Sequence, residues 1–260
     1  TAVNLDMGGL GSLNFNQGDS GNGIDALDDK MPTAWEEPWG NALGTGVQLV
    51  RGVGPQSNVQ YSTPTVLGTN IKLAMTHDMG GADVNDKGAS GQGSDSTGAG
   101  YDATINVNPS LGTEILSGLN LFVGAHTSQE TLHTTNDRYE GVGGATYDIG
   151  PISLGYAVSG ISTGKVASSA VDYYKNSMYG IAFNVNDDLS ISYGNHESQQ
   201  AFVNPADTES RHMDMNSWQI AYTMGGASIR YAMSEVTNGS YQTTDAYDKE
   251  ANVLSVSLAF

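Results

Sequence analysis

The sequence predicts an all-β protein, a transmembrane antiparallel β-barrel, and three observations carry that prediction. Apolar and polar residues alternate one by one along many short segments, the period of a strand with one apolar and one polar face. The connections between these segments are by turns short and long, as in barrels with tight turns at one end and loops at the other. The polar face is built from Ser, Thr, Asn and Gly with few Lys or Glu, which suits a confined wet lumen better than an open solvated surface.

The alternation is plainest at the end of the chain, where Leu254, Val256, Leu258 and Phe260 share a face and Ser255, Ser257 and Ala259 the other. Trp218, Ile220 and Tyr222 alternate with Ser217, Gln219, Ala221 and Thr223, and Ile229, Tyr231 and Met233 with Ser228, Arg230 and Ala232. Tyr179, Ile181, Phe183 and Val185 repeat the pattern, as do Ile152, Leu154, Tyr156 and Val158. Tyr101, Ala103, Ile105 and Val107 alternate with Asp102, Thr104, Asn106 and Asn108. About thirteen strands are expected, near 2–7, 12–17, 57–63, 70–78, 101–108, 119–129, 141–148, 152–162, 177–185, 189–197, 214–224, 227–237 and 250–260. The long polar connections are 18–56, 79–100, 130–140, 164–176, 198–213 and 238–249. A soluble β-sandwich is the bland alternative, but its outward face would carry more Lys and Glu. Aromatics also stand at the expected strand ends (Tyr61, Tyr101, Tyr147, Trp218, Tyr222, Phe260), where an interfacial girdle belongs.

Composition narrows the function classes. The 260 residues include 28 acids and 10 bases, a net charge of −18 that argues against a nucleic-acid partner. No Cys is present, which excludes a disulfide scaffold and thiolate metal sites. No apolar run reaches the roughly 18 residues of a membrane-spanning helix, yet a barrel strand shows lipid only at every second residue. No secretory leader is visible at Thr1, so the chain is expected to be processed or incomplete.

Two features together carry a resemblance. Phe260 closes an alternating terminal strand. Upstream, Leu10-Gly11-Ser12-Leu13-Asn14-Phe15 is followed by the acidic stretch 25–29 and by Met31-Pro32-Thr33-Ala34-Trp35-Glu36-Glu37. Val50-Arg51-Gly52-Val53 and Asn58-Val59-Gln60-Tyr61-Ser62 come next. This order resembles the strand, constriction loop and return strand of the general trimeric porins of bacterial outer membranes. The resemblance implies a single barrel domain over 1–260, with 18–56 folded into the lumen and Phe260 acting as an assembly signal. It further implies that residues 12–17 match the family's fifth strand, so that three strands of the family's sixteen precede this sequence.

The same resemblance places Glu36 and Glu37, with Asp25, Asp28 and Asp29, near the narrowest point of a pore, and Arg51 on the opposite wall. Strand parity adds Lys72 and Arg230 to the lumen face. Charges set across a water-filled neck select ions by sign. The expected function is passive diffusion of small hydrophilic solutes through a weakly cation-selective homotrimer in a Gram-negative outer membrane, in contact with its lipid and lipopolysaccharide. A substrate-specific channel is the alternative, and an outer-membrane barrel enzyme a more remote one. For the enzyme, His126 near Ser128 and His196 near Ser198 are the only local pairs. His77, His126, His133, His196 and His212 lack ligand spacing, and no cofactor is expected. Asp83, Asn85, Asp86 and Gly88 resemble a calcium loop, but Ser94 stands where the closing Glu belongs. The glycines at 141, 143 and 144 are expected to let strands or subunits approach closely.

Overall fold

Period-2 alternation along the chain becomes one continuous ladder. The computed structural model describes residues 1–17, 21–40, 43–77, 97–109, 114–130, 136–205 and 210–258. Its strands are β1 (Ala2–Asp6), β2 (Ser12–Gln17), β3 (Ser57–Ser62), β4 (Thr69–Thr76), β5 (Thr97–Val107), β6 (Leu119–Glu130) and β7 (Arg138–Ile149). They continue as β8 (Ile152–Ser162), β9 (Val171–Asn184), β10 (Leu189–Phe202), β11 (Arg211–Met224), β12 (Ala227–Thr237) and β13 (Lys249–Leu258). All 13 lie in a single sheet in sequence order, each antiparallel to its neighbours. A ladder of this kind satisfies backbone N–H and C=O groups between strands, the condition for any β-structure placed in lipid.

The faces are sharply different. Trp218 is 57% exposed while its neighbour Gln219 is 6% exposed, and the pattern repeats from β4 to β12. Leu73, Met75, Val123, Tyr156, Ile181, Ile220, Met233 and Leu254 point outward, as the alternation predicts. No second sheet covers either face among the described residues, which removes the sandwich. The inner face is covered instead by the segment between β2 and β3, which touches strands from β3 round to β13. One short segment can touch so many strands only if the sheet curls around it.

Three expectations need correction. The first concerns strand length: β7 starts at Arg138 rather than 141, β9 at Val171 rather than 177, and β10 runs to Phe202 rather than 197. In and beside these extensions several outward residues are polar (Lys175, Ser177, Glu197, Gln199) while Tyr139 and Tyr173 are aromatic, so alternation of hydrophobicity becomes irregular while hydrogen bonding continues. The second is the aromatic girdle: Tyr61, Tyr147 and Tyr222 lie near the ends of their strands as expected, but Tyr101 and Trp218 do not. Trp218 lies in the middle of β11, with its ring 4.7 Å from that of Tyr193, which in turn lies 6.2 Å from Tyr179. Tyr156 stands opposite Tyr179 in the register. Beyond this row the outward positions become Asn195, Glu197, Asp214 and Asn216, so the aromatics sit where the apolar band gives way to polar residues. A strand of 14 residues is longer than the roughly 9–11 that cross a bilayer.

The third correction is partial: the inner face is mostly polar, as expected, but apolar side chains gather on it where the loop packs. Inward-facing Val142, Ile161, Met178, Met213, Met215 and Val236 are buried under the β2–β3 segment. A wall covered by packed chain is a core, and a core favours apolar side chains. Of the glycines expected to aid close approach, Gly144 faces inward, where an added Cβ would stand 2.6 Å from Phe122 Cζ; Gly141 and Gly143 face outward with no atom closer than 3.7 Å.

The three tryptophans test this arrangement, since Trp218 faces outward while Trp35 and Trp39 belong to the inner segment. In lipid vesicles, a quencher attached to the acyl chains should strongly quench a variant retaining only Trp218. Variants retaining only Trp35 or Trp39 should be quenched far less. Equal quenching of all three would contradict the assignment of faces.

Candidate functional site

Buried backbone groups that leave a ladder need other partners, and the described residues of the 39-residue connection 18–56 find many of theirs on the inner wall. The outgoing limb starts at a carboxamide knot in which Asn22 Nδ2 donates to Asn58 (2.8 Å) and Asn14 (2.9 Å). Gly23 N–H donates to Gln60 Oε1 and Ile24 N–H to Asp102 Oδ2, both at 2.8 Å. A 3-10 turn, Gly23–Leu27, then buries Ile24 and Leu27 against β5 and β6. Further on, Ala34 N–H donates to Ser192 Oγ (2.8 Å), and the N–H groups of Trp35 and Glu36 both donate to Gln219 Oε1 (3.0 Å). Gln219 Nε2 donates in return to the Glu36 carbonyl.

The return limb runs closer to the long-loop end. Lys249 Nζ donates to the carbonyls of Leu43 and Gly44 (3.2 Å each), and Ser240 N–H to the carbonyl of Thr45 (2.6 Å). Gln48 N–H donates to Tyr241 Oη (3.1 Å), and Asn176 Nδ2 to the Gln48 carbonyl (3.0 Å). Arg51 and Gly52 N–H groups meet Glu140 Oε2 at 2.7 and 3.1 Å. Val53 N–H closes the circuit on Asp102, 3.2 Å from Oδ2. Asp102 therefore clamps both limbs, and its other oxygen accepts from His126 Nδ1 at 2.6 Å.

Sterics make the seat as much as hydrogen bonds do. Gly155, Gly180 and Gly194 stand side by side in the register of β8, β9 and β10. A Cβ at Gly155 would come 2.4 Å from Pro32 Cδ, at Gly180 2.7 Å from Pro32 O, and at Gly194 3.1 Å from Pro38 Cγ. The three form a channel in the wall in which residues 32–38 lie. At the clamp, Gly23 (φ +62°) and Gly52 (φ +48°) lie so close that a Cβ would fall 1.9 and 2.2 Å from Asp102 Oδ2.

The charged residues predicted from sequence fall as follows. Asp25, Asp28, Asp29, Glu36 and Glu37 are all on the outgoing limb, with Asp29 and Glu36 exposed and the other three partly buried. Burial, then the charges of Asp25, Asp29 and Glu37, pushes the Asp28 carboxyl up to about 7. Burial also pushes Glu37 up to about 7, against the pull of its own backbone N–H, with Asp29 and Glu36 adding to the rise. Asp25 is raised by burial and held back by the Gly21 N–H and by Arg51. The five acids thus form one mutually repelling group, relieved by Lys30, whose Nζ lies 3.9 Å from Asp29 Oδ1.

Arg51 is not on a wall opposite these acids. It belongs to the return limb of the same loop, within electrostatic reach of Asp25. Lys72 and Arg230 share the lumen face of their strands with Ala74 and Ala232. Phe260 and the segment 83–94 lie outside the described residues.

Sequence reasoning missed Asp102, Glu140 and Gln219 as loop anchors, and missed Arg138, Arg211 and Lys249 as lumen bases. Parity alone could have pointed to the first three as polar groups facing inward among small residues. The bases lie in strand extensions where hydrophobic alternation is lost. Arg138 Nε donates to Glu140 (2.7 Å), Arg211 donates to the Tyr241 carbonyl (3.1 Å), and Lys249 holds the loop. His126 and His196 are buried; His126 pairs with Asp102, and Ser198 beside His196 bonds Tyr241 Oη at 2.7 Å.

A curled antiparallel sheet, apolar outside and filled by an acidic loop, defines a porin-type β-barrel, and solved structures agree. No family model and no curated protein matches the sequence. The anion-selective porin from Comamonas acidovorans aligns with 88% of this chain at 11% identity and a TM-score of 0.59. This chain spans 64% of that porin's own length. OmpF from Salmonella typhi, in complex with daunomycin, gives 14% identity and a TM-score of 0.62, with 95% of this chain and 74% of that one covered. The trimer form of OmpT from Vibrio cholerae gives 11%, a TM-score of 0.59, and 95% and 76% coverage. The chain has the fold of the bacterial outer-membrane porins.

The clamp and the glycine channel are testable separately. Asp102→Ala leaves two buried N–H groups and an imidazole without their acceptor and should cost roughly 3 kcal/mol in urea unfolding from detergent. Gly180→Val forces the loop off the wall and should cost about 1–3 kcal/mol, with faster proteolysis within 18–56. A Gly180→Val protein as stable and protease-resistant as wild type would mean that the loop does not rest there.

Proposed function

We propose that the protein is an outer-membrane porin of a Gram-negative bacterium, a water-filled channel for passive diffusion of small hydrophilic solutes with a mild preference for cations. The observation that carries this reading is the acidic loop seated inside a wall whose outer face is apolar. An apolar band bounded by aromatics fits a lipid bilayer, and its polar margin fits headgroups such as those of lipopolysaccharide. One porin of this fold is described as a trimer, which supports a homotrimer here.

The loop supplies the selectivity. Asp25, Asp28, Asp29, Glu36 and Glu37 outnumber Lys30 and Arg51 on the same segment, and surplus negative charge in a narrow passage concentrates cations. A porin of this fold is described as anion-selective, so the fold leaves the sign of selectivity open and the loop charges decide it. Screening over about 8–10 Å at ordinary salt should weaken the preference as salt rises.

Conductance and reversal potential in a planar bilayer under a salt gradient test the proposal. At low salt and pH 8 the reversal potential should favour cations, and Glu36→Gln with Glu37→Gln should shift it toward anions. An anion-selective wild type would sink the reading. Acidification has the same direction: Asp28 and Glu37 titrate near 7, so between pH 8 and 5.5 they take up protons and cation preference should fall. The stability effect follows from the same shift. Both groups bind protons more tightly folded than unfolded, so their contribution to stability grows as pH falls from above 7 toward about 4 and is lost on raising it again. In Asp28→Asn with Glu37→Gln both pH effects should shrink markedly.

A further inference from the structure

Between the loop and the short-turn end of β4–β7 lies a cavity of about 380 Å³ that the acidic passage does not explain. Its inward-facing lining is unusually rich in carboxamides: Asn70, Asn106, Asn108 and Asn120, joined by Lys30 and by Phe122. The strand register builds this lining. Asn70 stands opposite Asn106 across β4–β5, and Asn106 opposite Phe122 across β5–β6. Phe122 is buried over Gly144, where a side chain would displace its ring, and so gives the cavity an apolar floor.

The hydrogen-bonding capacity left open is mixed. Asn70 spends its Nδ2 on the Thr63 carbonyl (2.6 Å), leaving its oxygen as an acceptor. Asn120 receives Asn108 Nδ2 on its oxygen (3.1 Å), leaving its amide as a donor. Asn106 has no side-chain partner among the described residues and offers both. A carboxylate or phosphate calls for donors only and an ammonium for acceptors only, whereas a hydroxyl donates and accepts at once. The single formal charge, on Lys30, is shared with Asp29 at 3.9 Å. Pockets of this size take small organic molecules, with an apolar surface against one face and polar groups fixing orientation.

We propose that this cavity is a subsite for small neutral polyhydroxylated solutes, from a hexose to a disaccharide, on the short-turn side of the loop. It rests on the channel reading above, because solute reaches it through the lumen. The test records ion current through the reconstituted protein while glucose or maltose is added on each side in turn. Saturable reduction of current, with a half-maximal concentration on the order of millimolar, is expected. In Asn106→Ala with Asn120→Ala that concentration should rise about fivefold or more, the equivalent of at least one lost hydrogen bond. A linear fall in current that only follows viscosity, equal in wild type and variant, would overturn the proposal. So would gluconate acting at about a tenth of the glucose concentration or less, because Lys30 would then be recognising charge. If no channels form at all, the diffusion reading fails. Saturation-transfer NMR between glucose and the protein in detergent then decides the subsite alone, and absence of transfer overturns it.

Discussion

The structure depends on one constraint: backbone that leaves the ladder inside a barrel must be bonded by the wall. The described residues between β2 and β3 make no strand, yet their N–H groups find Gln60, Asp102, Glu140, Ser192, Gln219 and Tyr241. Each anchor is a polar side chain on a rigid strand or beside one, so the loop inherits the rigidity of the sheet. Asp102 matters most, because it holds the start and the end of the loop together. The limbs also meet through Asn22, Asn58 and Gln60 at the base and through Ile24 and Val50, which share one apolar cluster.

Fixing the loop there has an electrostatic consequence. Five carboxyls on one short segment would repel weakly if the segment were a solvated external loop. Pressed against the wall, Asp28 and Glu37 lose solvent and feel the field of neighbouring acids, Asp29 among them for both, which is why both rise to about 7. The energy to hold them comes from apolar contacts elsewhere on the loop. Ile24, Leu27, Met31 and Val50 pack with Val142, Ile161 and Met178 of the wall, and Leu43 with Met213, Met215 and Val236. Beneath the loop the inner face therefore combines these apolar contacts with the polar anchors, and toward the short turns it is amide-rich.

The outer face is simpler because a single requirement, an exposed apolar side chain, recurs at every second position. Tyr156, Tyr179, Tyr193 and Trp218 mark where that requirement ends. Above them β9, β10 and β11 continue as hydrogen-bonded hairpins with mainly polar residues on the outward side, Tyr173 excepted. The extensions of β7 and β11 carry Glu140's partner Arg138 and Tyr241's partner Arg211, so the upper wall also steadies the return limb.

What the sequence by itself determined is local. A strand's alternation is written in adjacent residues, so the order of the 13 strands, the short turns and the outward side of Trp218 or Ile220 were legible from period alone. The acids at 25–37 were legible as a group, and their place in the lumen came through resemblance rather than pattern. Tertiary structure alone decided how they are held. Ile24 meets Asp102 across 78 positions and Trp35 meets Gln219 across 184, and no periodicity links residues so far apart. It also moved Arg51 beside Asp25 and turned Met213 and Met215 inward, because a covered wall obeys packing and an uncovered one obeys solvent. A strand's sides are fixed by its own backbone; what lies against them depends on the rest of the chain.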